Sequence, residues 1–278
     1  MQTQKPSINT YVLGQAPEAI RRLLKQGQLL NPFTRRVLEE AGITTGMNVL
    51  DLGCGPGDVS LLAASLVGST GSELGADTNP AVLQLAQVRA QEAGFGQVSF
   101  QAGDINDLTL DQEYHAIVGR LVLQYLPERA AILRCLTQRL RPGGVAVFQE
   151  YDLSTDLSLC YPPSSLWQQV WSWITQAFQG AGAELQMGLK LYDTFPEAGL
   201  PEPQMRYEAV LAGGPASPVY ELAADTVRAL LPMLVKFGIA TAEDVDIETL
   251  EDRLRTEIVS HQGVARSPAI VSAWVRKP

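Results

Sequence analysis

The sequence predicts an α/β fold in which a mostly parallel sheet is covered by helices on both faces. From about residue 40 onward, short apolar runs alternate with stretches of helical periodicity across short turns, the pattern of successive βα units. The run VLDLGCGPGDVSLLAA, Val49 to Ala64, sets the acid Asp51 in an apolar strand, follows it with Gly53, Gly55 and Gly57, and then enters a helix. The chain has 278 residues, 46% hydrophobic and 18% charged, enough for one large or two modest domains with a sizeable core.

Ahead of this run, Ala16 to Ala41 carries Ile20, Leu23, Leu24, Leu29, Leu30, Phe33, Val37 and Leu38 at near-helical spacing. Two helices are expected here, broken at Asn31-Pro32, where proline suits a first helical position. In the turn itself the glycines permit positive φ and let a ligand approach the backbone. A dinucleotide fingerprint would need Gly-x-Gly-x-x-Gly, and the position of its third glycine holds Asp58. Two carboxylates, Asp51 and Asp58, would disfavour a pyrophosphate. A positively charged cofactor without phosphate suits the turn better.

An acid followed by Gly-x-Gly-x-Gly resembles the first motif of the class I S-adenosylmethionine-dependent methyltransferases. The resemblance covers residues 40 to 152 closely and the rest of the chain more loosely. LGADTNPAVLQLAQ, Leu74 to Gln87, is similar to the family's second strand, ending 26 positions after Asp51 in Asp77. That acid is implied to accept hydrogen bonds from both ribose hydroxyls, with Thr78 and Asn79 beside it. FQAGDIND is similar to the third strand, which implies Asp104 at the adenine amino group and Ile105 beside the ring. YHAIVGRLVLQYLP, Tyr114 to Pro127, is similar to the fourth strand and LRPGGVAVFQEYD, Leu140 to Asp152, to a turn and fifth strand. The implied fold is a doubly wound, Rossmann-like sheet of seven strands with the last antiparallel. The implied cofactor is S-adenosyl-L-methionine, held by Asp51, Gly53, Gly55, Gly57, Asp77, Thr78, Asn79, Asp104, Ile105 and Arg120. His115 stands where the family often has an acid; at the N-terminal end of a strand it lies away from the ligand edge and is expected to be half-exposed and not catalytic.

Beyond the fifth strand, Pro162-Pro163 introduces Ser164 to Phe178, where Trp167, Trp171, Ile174 and Phe178 share a helical face. That stripe reads as core first and pocket second. Leu189 to Leu200 reads as a helix, Pro203 to Gly214 as a strand and Ala269 to Lys277 as the last strand. Pro215 to Pro268 is too long for a hairpin and holds two segments of helical periodicity, expected to pack as a lid that excludes water. The expected organisation is a helical cap at 1–41, a cofactor-binding core at 42–214 with a helical segment at 163–181, a lid at 215–268 and a final core strand at 269–278.

The net charge is −9 and the pI near 4.8, against the basic face that neutralises phosphates, so no nucleic-acid partner is expected. Arg21-Arg22-Lys25 and Arg35-Arg36 are read as solvated helix faces. No apolar run reaches the roughly 20 residues of a membrane span, and the start MQTQKPSINTYVLG lacks the layout of a secretory signal. Cys54, Cys135 and Cys160 form no Cys-x-x-Cys pair, which points to free thiols in a reducing cytoplasm and to no metal site.

Methyl transfer needs an aligned nucleophile and, in some cases, a proton acceptor. Candidates are His261, with suitable chemistry near neutral pH; Glu150, at the ligand edge of the fifth strand; and Tyr11, which the resemblance would bring over the cofactor. Alternation puts Tyr151 on the face opposite Glu150 and Asp152. Arg120 is also open to holding an acidic group or capping a helix. The expected activity is methylation of an oxygen, nitrogen or carbon of a small aromatic or heterocyclic metabolite, in secondary metabolism, by a monomer or homodimer. The rival readings are a protein or tRNA methyltransferase and a cofactor-binding protein without transfer.

Overall fold

The computed structural model describes residues 17–105, 108, 110, 112–154 and 160–278. Its first element is one helix, α1 (Pro17–Glu40), which runs through Pro32 without a break, so the expected pair of helices is not formed. A mid-helix proline removes a backbone donor, and tertiary contacts compensate. Leu30, Val37 and Leu38 are buried, and Arg120 Nη1 donates to Asn31 Oδ1 at 3.1 Å and Thr34 Oγ1 at 2.8 Å, on either side of the proline.

Four strands and three α-helices follow: β1 (Asn48–Leu52), α2 (Asp58–Val67), β2 (Ser72–Asp77), α3 (Pro80–Glu92), β3 (Val98–Ala102), β4 (Tyr114–Arg120) and α4 (Arg129–Thr137). Local chemistry marks the helix starts. Gly57 at φ 86° caps α2, and the Asn79 side chain accepts from Ala81 N at 3.0 Å ahead of Pro80. The chain continues through β5 (Leu140–Asp152), β6 (Cys160–Tyr161), α5 (Ser165–Gly180), α6 (Met187–Glu197), β7 (Gln204–Glu208) and β8 (Leu211–Gly213). It ends with α7 (Pro218–Lys236), α8 (Ala242–Val245), α9 (Leu250–Ser260), β9 (Val264–Arg266) and β10 (Ala269–Arg276).

Seven strands form one sheet in the order β3-β2-β1-β4-β5-β10-β7, with β10 antiparallel to both its neighbours and the others parallel. This is the Rossmann-like arrangement expected. The segment 203–214, read as one strand, divides instead: β7 closes the large sheet, while β8 joins β6 and β9 in a separate three-stranded sheet. One face of the large sheet packs Leu133, Phe148, Leu191 and Phe195, and the other packs Val37, Leu38, Val59, Ala63 and Val147. A further core joins α5, α7 and α9 around the fully buried Trp167. The helical segment before β10 therefore forms, and α7 packs across α1 and α5, tied to α1 by Lys25 Nζ, which donates to Asp225 Oδ2 at 2.7 Å and to Glu221 Oε1.

Candidate active site

The carboxyl ends of β1, β2, β4 and β5, roofed by α1, α5 and α7, enclose a cavity of about 1130 Å³. At its floor the turn after β1 holds Gly53 at φ 61° and Gly55 at φ 52°, a region that side chains rarely adopt. A Cβ on Gly55 would meet nothing within 4 Å, whereas one on Gly53 would meet Val122 Cγ2 at 2.8 Å. Gly55 thus presents bare backbone to the cavity and Gly53 lets the chain after β4 come close. Gly57 is outside the cavity wall and packs toward Ala86, which a Cβ there would approach to 3.1 Å; its expected place beside the cofactor becomes one of helix packing.

The turn is braced from two sides. Asp77 accepts from Gly55 N through Oδ2 and from Asn79 N through Oδ1, both at 2.9 Å. Arg89 of α3 donates to Pro56 O and, at 2.9 Å, to Asp58 Oδ1. Asp77, Thr78, Asn79, Asp104, Ile105 and Arg120 all line the cavity, so the topology gathers these six expected residues with Gly53 and Gly55. Burial lowers the Arg120 pKa, and Asp58, Asp51 and Tyr151 oppose the shift.

Asp51 stands behind the turn and not in the wall. It is 1% exposed, its Oδ2 accepts from Ser60 Oγ at 2.7 Å, and burial pushes it up to about 7. Next to it lies Glu73 of β2. Buried with neither carboxylate oxygen hydrogen-bonded, Glu73 is raised well above the usual carboxylate range, first by burial and then by the charge of Asp51. Two acids this close in a dry interior cannot both ionise cheaply.

Leu121, at φ 60°, turns the chain after β4 so that Val122 N and Leu123 N donate to Glu150 Oε1 at 3.0 and 2.7 Å, and Gln124 N to Oε2 at 3.3 Å. Glu150 is thereby committed to holding this loop. It is fully buried, outside the cavity wall, and pushed by burial up to about 8 in spite of those three donors. Its candidacy as a base is corrected on that ground. His261 is corrected likewise: it caps the C-terminus of α9, exposed to solvent and away from the cavity. Tyr11 lies outside the described residues. His115 is half-buried at the far end of the sheet, where Nδ1 accepts from Asn48 N at 2.9 Å, as its position in the strand implied.

Sequence reasoning missed two features of the wall. Arg22, read as a solvated position, is 1% exposed and lines the cavity. Tyr151 points into the cavity, with its Oη accepting from Gln26 Nε2 at 3.0 Å; strand alternation already separated it from Glu150. Trp171, Ile174 and Phe178 also line the cavity, while Trp167 of the same stripe is core. Among the described residues, no group of three or more His, Cys, Asp or Glu side chains could hold a metal ion, and no helix is long and apolar enough to cross a membrane.

A family model described as a methyltransferase domain matches residues 43–199. The 2-phytyl-1,4-naphtoquinone methyltransferase of Synechococcus elongatus is 31% identical over 206 residues, 72% of this chain and 84% of that protein. The ubiquinone/menaquinone biosynthesis C-methyltransferase UbiE of Cellvibrio japonicus is 31% identical over 130 residues, 46% of this chain and 52% of that protein. Among solved structures, the YcgJ protein of Bacillus subtilis shares the fold, with a TM-score of 0.57 at 16% identity over 88% of this chain and 98% of that one. With the glycine turn, the strand order and these matches in agreement, the chain belongs to the class I S-adenosylmethionine-dependent methyltransferases, enzymes whose cofactor is S-adenosyl-L-methionine.

Proposed function

We propose that this enzyme methylates an oxygen, nitrogen or carbon nucleophile of a small aromatic or heterocyclic metabolite inside the roofed cavity. The observation that carries this reading is the cavity's extent. At about 1130 Å³ it exceeds the roughly 300–1,000 Å³ of a pocket for one drug-sized ligand, and it runs from the glycine turn to the aromatic stripe of α5. It has room for a cofactor and an acceptor together. Both curated relatives described above carry quinones in their names, which supports a ring acceptor.

The residues at the turn fit the cofactor. Gly55 offers open backbone, and each Asp77 oxygen, having accepted one backbone N–H, keeps a second lone pair for a ribose hydroxyl. Asp104 and Ile105 would flank adenine, Thr78 and Asn79 would border the ribose, and Arg120 would take the amino-acid carboxylate. Bound S-adenosylmethionine supplies a methyl group already activated on a sulfonium. The chain contributes alignment and a dry site: α1, α5 and α7 cover the cavity, which strengthens the electrostatics within it.

Calorimetric titration with S-adenosylmethionine and S-adenosylhomocysteine, with NAD as control, tests the cofactor half. Labelled methyl transfer into a library of metabolites tests the acceptor half. Binding of the first two ligands with transfer to ring compounds is expected; transfer confined to protein or tRNA would overturn the small-molecule reading.

A further inference from the structure

The last residues of β5 divide their tasks. Glu150 turns inward to hold Val122–Gln124, and Asp152 Oδ1 accepts from the backbone and hydroxyl of Ser154 at 3.0 and 2.6 Å. Tyr151 alone of the three lines the cavity. Its ring belongs to the same apolar cluster as Trp171, Ile174 and Phe178, and Tyr125, another wall residue, lies 6.5 Å from Phe178 between ring centroids. A flat apolar body is the natural complement of such a wall.

On that wall the Tyr151 hydroxyl is a polar point fixed from outside the sheet. Gln26, on α1 and itself in the wall, donates to it. That contact helps to orient the hydroxyl, and a phenol carries two acceptor positions and one donor proton. Both residues are buried at 8% exposure, so a hydrogen bond made there competes little with water.

Resting on the proposed methyl transfer to a ring metabolite, we infer that the acceptor is an aromatic compound bearing a ring hydroxyl, and that Tyr151, set by Gln26, is the residue that reads that hydroxyl. The ring lies along Trp171, Ile174 and Phe178 and the hydroxyl meets Tyr151 Oη. Tyr151 is thus a specificity-determining residue at the acceptor end and takes no part in holding the cofactor. Sites built to hydrogen-bond a hydroxyl reject analogues that lack it far more strongly than apolar pockets discriminate by shape.

The test uses the full chain saturated with S-adenosylhomocysteine, with 2-naphthol and 2-methoxynaphthalene as probes and calorimetry as the readout. The wild type should bind 2-naphthol at least about tenfold more tightly than the methoxy compound. Tyr151→Phe should shrink that ratio to about threefold or less, and Gln26→Leu should shrink it in part, with S-adenosylhomocysteine affinity unchanged in both. A wild-type ratio near one, a ratio that survives Tyr151→Phe, or failure of both probes to bind would overturn the inference. So would a tenfold loss of S-adenosylhomocysteine affinity in Tyr151→Phe, which would assign the tyrosine to the cofactor. Failure of the wild type to bind S-adenosylhomocysteine at all is a separate result, and it strikes the underlying methyl-transfer reading.

Discussion

The backbone N–H of Gly55 donates to Asp77 Oδ2 at 2.9 Å, so the glycine turn after β1 and the carboxyl end of β2 form one hydrogen-bonded unit. Asp77→Ala removes that acceptor and the one serving Asn79 N. Hydrogen bonds to a charged group are worth about 1.5–3 kcal/mol each, so S-adenosylhomocysteine affinity should fall at least about tenfold. Asp77→Asn, which keeps one acceptor oxygen, should lose less. Calorimetric titration checks both, and unchanged affinity in Asp77→Ala would remove Asp77 from the cofactor site.

Gly27 of α1 lies against Asp58. A Cβ there would stand 2.5 Å from Asp58 Cγ, and Asp58 has little room to yield, being 6% exposed and bound to Arg89. Replacing a mid-helix glycine by alanine gains about 1 kcal/mol of helix propensity, while overpacking costs about 1–3 kcal/mol. Gly27→Ala should therefore lower Tm by a few degrees; a rise in the scanning-calorimetry trace would contradict the contact.

Glu150 gives stability a pH dependence whose sign is determined. Its folded pKa is raised from 4.5 to about 8, so between those values the native chain binds more protons than the unfolded one. Its contribution is complete below pH 4.5 and is lost as the pH rises through about 8, with a slope of up to about 1.4 kcal/mol per pH unit. Asp51, raised from 3.8 to about 7, adds to the decline over the lower part of that range. Urea midpoints from pH 5.5 to 9 should fall less steeply in Glu150→Gln than in the wild type, and equal slopes would remove Glu150 as the source.

Lys25 joins α1 to α7 through Asp225 and Glu221. With the lysine 27% exposed, the contact is worth about 1 kcal/mol or less, so Lys25→Met should change Tm little. Cleavage by a protease within 218–236 should nevertheless become faster, and S-adenosylhomocysteine should slow it. Identical cleavage rates in variant and wild type would show that this pair does not hold the roof.

The elements of the sheet were legible because their signals are local. Alternating apolar runs and the glycine turn each depend on a few adjacent residues, and Asp77, Asp104 and Arg120 inherit their common location from strand ends in a parallel sheet. The continuity of α1 was not legible. A proline favours a break, and the opposing contacts come from Arg120, 86 residues beyond Thr34. The division of 203–214 between two sheets likewise depends on β9, far along the chain.

At the site, local pattern separated Tyr151 from Glu150 but was silent on which of the two faces the ligand, since that depends on what covers each side of the sheet. His261 has the chemistry of a base yet lies at an exposed helix end, and Arg22 sits in a basic cluster yet is buried in the cavity wall. The order of residues was sufficient for the class of fold and the glycine turn, because backbone conformation and strand-end position follow from short-range sterics, while the cofactor was implied by the family that these motifs resemble. Packing of α1 and α7 over the sheet assigned the cavity its roof and polar points such as Gln26, because burial is a property of surfaces brought together from distant parts of the chain.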